Sequence, residues 1–139
     1  MNSEMEYLSQ MSFQSQKPNP RILFHIGAMK TGSTAIQNML SKNQEILHEK
    51  GVFYLETAIR SQYVQSGNGE NLCHLLNSDA KCFEIKHELI QFIKPGYLSI
   101  ISCEVFSHLS EYSWKILFES LNELNVEFQL IAFIRSPID

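Results

Sequence analysis

Residues 24–34 read FHIGAMKTGST, and this stretch gives the strongest indication of the fold. An apolar run over residues 22–26 leads into a turn that contains Gly27 and Gly32, and helical periodicity begins near Thr34. A strand, a glycine-rich turn and a helix in this order bind phosphate, because the N–H groups of the first helical turn point at the anion and the helix dipole adds partial positive charge. Glycine lets the backbone approach the anion closely. The sequence therefore predicts an anion site at this turn.

The lysine of this turn lies at a different position from the lysine of an ATPase loop. A Walker A loop reads G-x-x-x-x-G-K-[ST], and Gly27, Gly32 and Thr34 keep its glycine spacing and its final hydroxyl. Ser33 occupies the Walker lysine position, and the lysine lies three residues earlier, at Lys30. A lysine inside the turn can still reach the bridging oxygen of a bound anhydride.

The displaced lysine belongs to a stretch that resembles a known family. Residues 30–34, KTGST, are similar to the 5′-phosphosulfate loop, K-[ST]-G-[ST]-[ST], of the sulfotransferases that use 3′-phosphoadenosine 5′-phosphosulfate (PAPS). HIG before this loop and AIQ after it resemble the bacterial branch most closely. Residues 133–137, FIRSP, with Asp139 resemble the start of the 3′-phosphate motif, a strand that ends in R-[NS]-P-x-[DE]. Residues 100–104, IISCE, are similar to the S-S-E element of bacterial members, and the order of the three elements agrees with the family.

The resemblance implies a PAPS-dependent sulfotransferase and a role for each residue of the first motif. Lys30 would stabilise the negative charge that develops on the bridging oxygen as its bond to sulfur breaks. The 5′-phosphate would be bound by N–H groups and hydroxyls of the loop, which come from Thr31, Gly32, Ser33 and Thr34.

The second motif would bind the other end of the nucleotide. Arg135 would hold the 3′-phosphate, since a guanidinium can bind two phosphate oxygens at once, and Ser136 would add a weak hydrogen bond. PAPS is thus the expected co-substrate. No metal is expected, because lysine and backbone dipoles take its place.

The acceptor group needs a base to take its proton. Glu104 is the first candidate, because it follows a predicted strand beside the loop. Members of the family use either a glutamate or a histidine at varying positions, so His25, His74 and His108 stay open as alternatives. Lys30 and Glu104 are therefore the predicted catalytic residues.

Composition limits the other classes of protein. A chain of 139 residues with 44% hydrophobic and 19% charged residues fits one globular domain. Its net charge of −4 gives no general attraction to nucleic acid or to an anionic membrane. The three cysteines form no C-x-x-C pair, which indicates free thiols in a reducing compartment. There is no apolar run of ~20 residues and no secretory signal, so the expected location is cytoplasmic.

Strand and helix patterns alternate along the chain, and this predicts an α/β fold. The predicted strands are 22–27, 52–55, 97–102 and 128–134, and the predicted helices are 33–50, 72–76, 81–93 and 111–124. The first helix would end at Gly51 and place five apolar residues on its inner face: Ile36, Met39, Leu40, Ile46 and Leu47. The last strand is almost continuously apolar, as is typical of a parallel strand covered on both faces. The expected architecture is a three-layer parallel sheet with P-loop-type nucleotide-binding topology.

This topology predicts where the motifs meet. Ligands of such sheets bind at the carboxyl ends of the strands, and Lys30, Glu104 and Arg135 each follow a predicted strand. If those strands are neighbours, the three side chains converge on one crevice.

The ends of the chain suggest its organisation. Residues 1–20 are rich in Ser, Gln, Asn and Pro and are expected to form a poorly ordered leader. The resemblance implies that residues 21–139 form a partial sulfotransferase domain, because the family continues well beyond the R-[NS]-P element. The expectation is a truncated domain, incomplete at the C-terminus, whose last strand lacks a covering helix and exposes apolar surface.

Three functions are compatible with the sequence. The first is sulfuryl transfer from PAPS to a hydroxyl or amine on a carbohydrate, lipid or small metabolite. The second is a P-loop kinase or NTPase, against which Ser33 at the lysine position argues, although Glu104 could imitate the magnesium-binding acid. The third is a non-catalytic remnant that only binds a nucleotide.

Overall fold

Four parallel strands form one sheet in the order β2-β3-β1-β4. The computed structural model describes residues 18–27, 33–56 and 67–133, and for residues 33 and 34 it describes the backbone alone. The strands are β1 (Arg21–Gly27), β2 (Val52–Phe53), β3 (Leu98–Cys103) and β4 (Glu127–Phe133). The helices are α1 (Ser33–Lys42), α2 (Gln44–Glu49), α3 (Glu70–Leu76), α4 (Cys82–Ile90) and α5 (Glu111–Glu123), and a 3-10 helix, Glu104–His108, follows β3. The predicted α/β class with a parallel sheet is confirmed.

The strand order separates the helices into two layers. The chain runs from β1 past β3 to β2, and then returns across the sheet to β3 and β4. Right-handed crossovers, the rule for parallel strands, place α1 and α2 on one face and α3, α4 and α5 on the other. Contacts among the second group agree with this layer, since Ser113 of α5 donates to the carbonyl of Leu76 at the end of α3 over 2.7 Å.

The main core lies between the sheet and the layer of α3, α4 and α5. Phe24 of β1 packs edge to face against Phe106 of the 3-10 helix, with ring centroids 5.6 Å apart. Alternation along β1 decides which side chains enter this core, because successive residues point to opposite faces. The largest fully buried side chains are Phe24, Phe92, Phe106, Ile22, Leu72, Ile85, Leu89, Ile101, Leu117 and Leu121.

The segment predicted as one helix over 33–50 is two helices. The two helices meet at Asn43, whose side-chain amide donates to the carbonyl of Met39 over 2.7 Å, beside the bond from its own backbone N–H to the same oxygen. Met39 and Ile46 are 53% and 54% exposed, whereas Leu40, from the same predicted face, is buried. The predicted place of Met39 and Ile46 on the inner face was wrong. The predicted end at Gly51 is confirmed, because this residue has a φ of +81° and its N–H bonds to the carbonyl of His48.

Strand β4 pairs with β1 and is exposed along its whole length. The description of this strand as covered on both faces was therefore wrong for the described part of the chain. The expected exposure of its apolar side chains is confirmed, since Leu130 is 44% and Ile131 is 40% exposed. Phe128 is held on one side by Phe118 of α5, with stacked rings 5.2 Å apart.

Candidate functional site

The carboxyl ends of β3, β1 and β4 lie side by side, at what we name the carboxyl edge. Ile26 pairs with Cys103, and Gly27 pairs with Phe133. The chain leaves β1 in one direction and leaves the neighbouring β3 in the other, so the crossovers diverge here. In open parallel sheets this point, where the strand order reverses, is where ligands bind.

Most of the predicted binding residues fall outside the described part of the chain. These residues are Lys30, Thr31, Gly32, Arg135 and Ser136. The strands that lead to them, β1 and β4, are neighbours, and β3 leads to Glu104 on the other side of β1. The condition for convergence at one edge is met by the strands, and the positions of these side chains stay a prediction.

Ser33 and Thr34 open α1, as the sequence predicts. The first turn of this helix contains no acidic residue. Its N–H groups and its dipole therefore meet no carboxylate from the helix itself, which favours an anion at this end.

Glu104 begins the 3-10 helix immediately after β3 and is half-buried. Its backbone carbonyl accepts a hydrogen bond from the Ser107 hydroxyl over 2.9 Å. Among the described residues, no side chain pairs with its carboxylate. The carboxylate is thus available as a base at the carboxyl edge.

The three alternative bases lie in different surroundings. His74, on α3, and His108, at the end of the 3-10 helix, are both exposed. His25 is in β1 and only 3% exposed, so it belongs to the interior.

A buried polar cluster lies directly below the carboxyl edge, on the face of the sheet that α1 covers. The Ser102 hydroxyl is 2.7 Å from Nδ1 of His25, its partner in the strand register. The side-chain amide of Gln37, in α1, donates to the same hydroxyl oxygen over 3.1 Å. One oxygen thus joins β1, β3 and α1.

The protons of this cluster can be assigned from its hydrogen bonds. Gln37 donates to the Ser102 oxygen, and the Ser102 hydroxyl can in turn donate its hydrogen to Nδ1 of a neutral His25. The His25 proton then sits on Nε2, which is buried without a hydrogen-bond partner among the described residues. Burial also lowers the pKa of His25, which favours the neutral imidazole.

Asn68 fills a place in the sheet beyond the end of the short strand β2. Its side-chain amide donates to the carbonyls of Leu55 and Ile100 over 2.8 Å and 3.0 Å. Its side-chain oxygen accepts from the backbone N–H of Ser102 over 2.7 Å. The amide group thus replaces a strand residue opposite Ile101, since a paired parallel strand bonds to β3 in the same alternating way.

The glycines on both sides of Asn68 allow this close approach. Gly69 donates its N–H to the Ser102 carbonyl over 3.0 Å. A Cβ at Gly67 would lie 2.1 Å from the same carbonyl oxygen, and Gly67 has a φ of +103°. Residues 67–69 are thus packed against β3.

Sequence reasoning missed Gln37 and Asn68 as parts of the site. Gln37 is 6% exposed although it is polar, and its position three residues before buried Leu40 was the available signal. For Asn68 the signal was a glycine on each side, because such glycines often mark close contact between backbones.

The described residues contain neither a candidate membrane span nor a candidate metal centre. None of the helices they contain is both long and apolar enough to cross a membrane. In the same part of the chain, no group of three or more His, Cys, Asp and Glu side chains could hold a metal ion.

Comparison with known proteins gives a likeness of fold. No family model matches the chain, and no curated protein matches it. A solved structure, a cysteine-to-alanine mutant of the APS kinase CysC from Mycobacterium tuberculosis, is similar with a TM-score of 0.46 and 15% identity, over 86% of this chain and 82% of that chain. At this TM-score and identity, the likeness assigns neither a family nor an activity to the chain.

Proposed function

We propose that this chain binds PAPS at the carboxyl edge and supports sulfuryl transfer to a hydroxyl or amine acceptor. The observation that carries the proposal is the strand order, because β1 lies between β3 and β4. The segments that contain Lys30, Glu104 and Arg135 therefore leave neighbouring strand ends.

The described residues at this edge fit an anionic nucleotide. The first turn of α1 has no acidic residue, and its N–H groups are the proposed ligands of the 5′-phosphate. Thr31, Gly32, Ser33 and Thr34 would supply these contacts. Arg135, with Ser136, would bind the 3′-phosphate at the end of β4.

Glu104 would act on the acceptor, and Lys30 would act on the leaving group. Glu104 takes the proton of the acceptor while the acceptor oxygen or nitrogen forms its bond to sulfur. The bond between sulfur and the bridging oxygen breaks, and its electron pair stays on the departing adenosine 3′,5′-bisphosphate. Lys30 stabilises the charge that develops on that oxygen.

The acceptor is a hydroxyl or amine on a carbohydrate, lipid or small metabolite. A reducing, cytoplasmic location is part of the proposal, and the free state of Cys73, Cys82 and Cys103 supports it.

A P-loop kinase or NTPase is the second candidate. The glycine spacing of the loop, Gly27 to Gly32, is that of a Walker motif. The similar solved structure is an APS kinase, a likeness too distant to argue for its activity here. Ser33 argues against this candidate, because it occupies the position where such enzymes have a lysine before the final hydroxyl residue.

Calorimetry with adenosine 3′,5′-bisphosphate and with ATP–magnesium distinguishes the two candidates. The sulfotransferase proposal expects the bisphosphate to bind more tightly, and it expects Lys30→Ala and Arg135→Ala each to weaken that binding by about tenfold or more, as for the loss of a charge-assisted hydrogen bond. Tighter binding of ATP–magnesium would favour the kinase and overturn the main proposal.

Two matched controls test whether charge alone explains the loss. Lys42→Ala removes a lysine at the far end of α1, and Arg21→Ala removes an exposed arginine at the opposite end of β1. Both are expected to leave binding within about twofold, since isolated surface charges contribute little. A loss equal to that of Lys30→Ala would argue for nonspecific attraction instead of a site.

A further inference from the structure

One hydroxyl group is shared by the two segments that flank residues 28–32. His25 lies two residues before the end of β1, and its Nδ1 is 2.7 Å from the Ser102 hydroxyl. Gln37 lies in the second turn of α1, and its amide reaches the same oxygen over 3.1 Å. The strand before the turn and the helix after it are therefore tied to one atom of β3.

Ser102 is well suited to hold both segments, because its backbone N–H and carbonyl are themselves bonded to residues 68 and 69. Its N–H donates to the side chain of Asn68 over 2.7 Å, and its carbonyl accepts from Gly69 over 3.0 Å. The residue is fully buried. Gly67 packs so tightly against the Ser102 carbonyl that a Cβ at position 67 would not fit.

We infer that Ser102 is a positioning residue that sets the distance between the end of β1 and the first turns of α1. This inference rests on the proposed function, in which the turn between them binds the 5′-phosphate. Backbone donors must be held within about 0.5 Å of their places to bind an anion well. Ser102 itself need not touch the ligand, so its hydroxyl acts through His25 and Gln37.

Hydrogen exchange without ligand tests the inference directly. Ser102→Ala is expected to speed amide exchange at least about threefold in residues 24–27 and 33–40, while α4 and α5 keep their protection. Equal exchange in the two proteins, or faster exchange spread evenly over the chain, would overturn the inference. An even spread would mean that the hydroxyl contributes only to global stability.

Ser99→Ala is the matched control. Ser99 lies in the same strand, is 1% exposed, and points to the opposite face of the sheet. Its hydroxyl has no hydrogen-bond partner in the described part of the chain. The control removes a buried hydroxyl of equal size, and we expect it to leave exchange near the turn unchanged.

Binding of adenosine 3′,5′-bisphosphate separates this inference from the proposed function. In fully folded protein, Ser102→Ala is expected to weaken binding by about tenfold, and Ser99→Ala by less than about twofold. If the unaltered chain binds the bisphosphate and Ser102→Ala binds it equally well, the inference fails and the proposed function stands. If the unaltered chain does not bind it, the proposed function fails, and exchange alone decides whether Ser102 fixes the turn.

A second variant covers the case in which Ser102→Ala does not fold. Gln37→Leu removes the link from α1 and leaves the contact between Ser102 and His25 in place. It is expected to speed exchange in residues 33–40 more than in residues 24–27. The reverse order, or no change in either segment, would contradict the inference.

Discussion

Nδ1 of the His25 imidazole lies within hydrogen-bond distance of the Ser102 hydroxyl, with 2.7 Å between the two atoms. The ring also packs against Phe133, with centroids 5.6 Å apart. Neither the Ser102 hydroxyl nor the Phe133 ring carries a negative charge that would stabilise a protonated imidazole. Burial, which lowers the pKa of His25, therefore makes the neutral form part of the folded structure.

Acid is expected to destabilise the protein through His25. Well above pH 6.5, the ordinary pKa of a histidine, His25 is neutral in both states and contributes no pH dependence. Below that pH, the unfolded chain binds a proton that the folded chain resists, so stability falls with falling pH until the lower, folded pKa is passed. Urea unfolding between about pH 5 and pH 8 measures this slope.

His25→Asn should remove this part of the slope while it lowers stability at neutral pH by about 1–3 kcal/mol, the cost of disturbing a buried hydrogen bond. His108→Asn is the control, because His108 is exposed and the contribution of His25 remains. A slope that persists unchanged in His25→Asn would contradict the prediction.

Tyr54 gives a prediction at the alkaline end. The pKa of Tyr54 is raised to about 12: burial and the nearby charge of Glu56 raise it, and a hydrogen bond from the Asn68 backbone partly opposes them. Above pH 10.0, the ordinary pKa of a tyrosine, the unfolded chain loses this proton and the folded chain keeps it, so stability is lost as pH rises through the folded pKa. Tyrosinate absorbance should show one late titration, and Tyr54→Phe should abolish it.

The three cysteines are expected to differ in reactivity. Cys73 and Cys103 are 1% and 0% exposed, and their mutual hydrogen bond, with burial, raises the pKa of Cys73. Cys82 is half-buried at the start of α4. A thiol reagent should label one cysteine quickly in the folded protein and all of them in denaturant. Cys82→Ser should remove the fast reaction, and fast labelling that persists would show that the core opens readily.

If the proposed reaction is found, Glu104→Gln tests the base. The amide keeps the shape of the side chain but cannot take a proton, so kcat should fall by about 10²–10⁴-fold while binding of adenosine 3′,5′-bisphosphate stays nearly unchanged. Glu111→Gln, at the exposed start of α5, is the control. An activity that survives in Glu104→Gln would direct attention to His74 or His108.

The pattern of apolar residues located the elements well where burial follows a simple period. The strand predicted at 97–102 is found at Leu98–Cys103, and the helix predicted at 111–124 is found at Glu111–Glu123. Both elements bury one face or lie in the middle of the sheet, so hydrophobic periodicity reports them directly. The helix predicted over 33–50 is two helices that meet at Asn43, and hydrophobic periodicity does not report such a local turn.

The site was less predictable than the fold. The motif identified Ser33 and Thr34 at the start of α1 and Glu104 at the end of β3, since glycine spacing and strand ends are local features. The contact of Gln37 with Ser102 joins residues 65 positions apart in the sequence. Such a contact depends on which strands are neighbours, which the sequence pattern alone did not give.

The exposed strand β4 leads to the last prediction, that the protein associates through this edge. Four apolar side chains of this strand are 37–44% exposed, and they lie on both faces: Phe128, Leu130, Ile131 and Phe133. In the described part of the chain β4 is an edge strand, and edge strands with exposed apolar side chains promote pairing between chains. Leu130→Gln should therefore reduce association at high concentration, as measured by sedimentation velocity, with little loss of stability. Met39→Gln, which changes a 53% exposed side chain on α1, should not. Equal effects of the two substitutions would mean that general surface hydrophobicity, and not the β4 edge, causes the association.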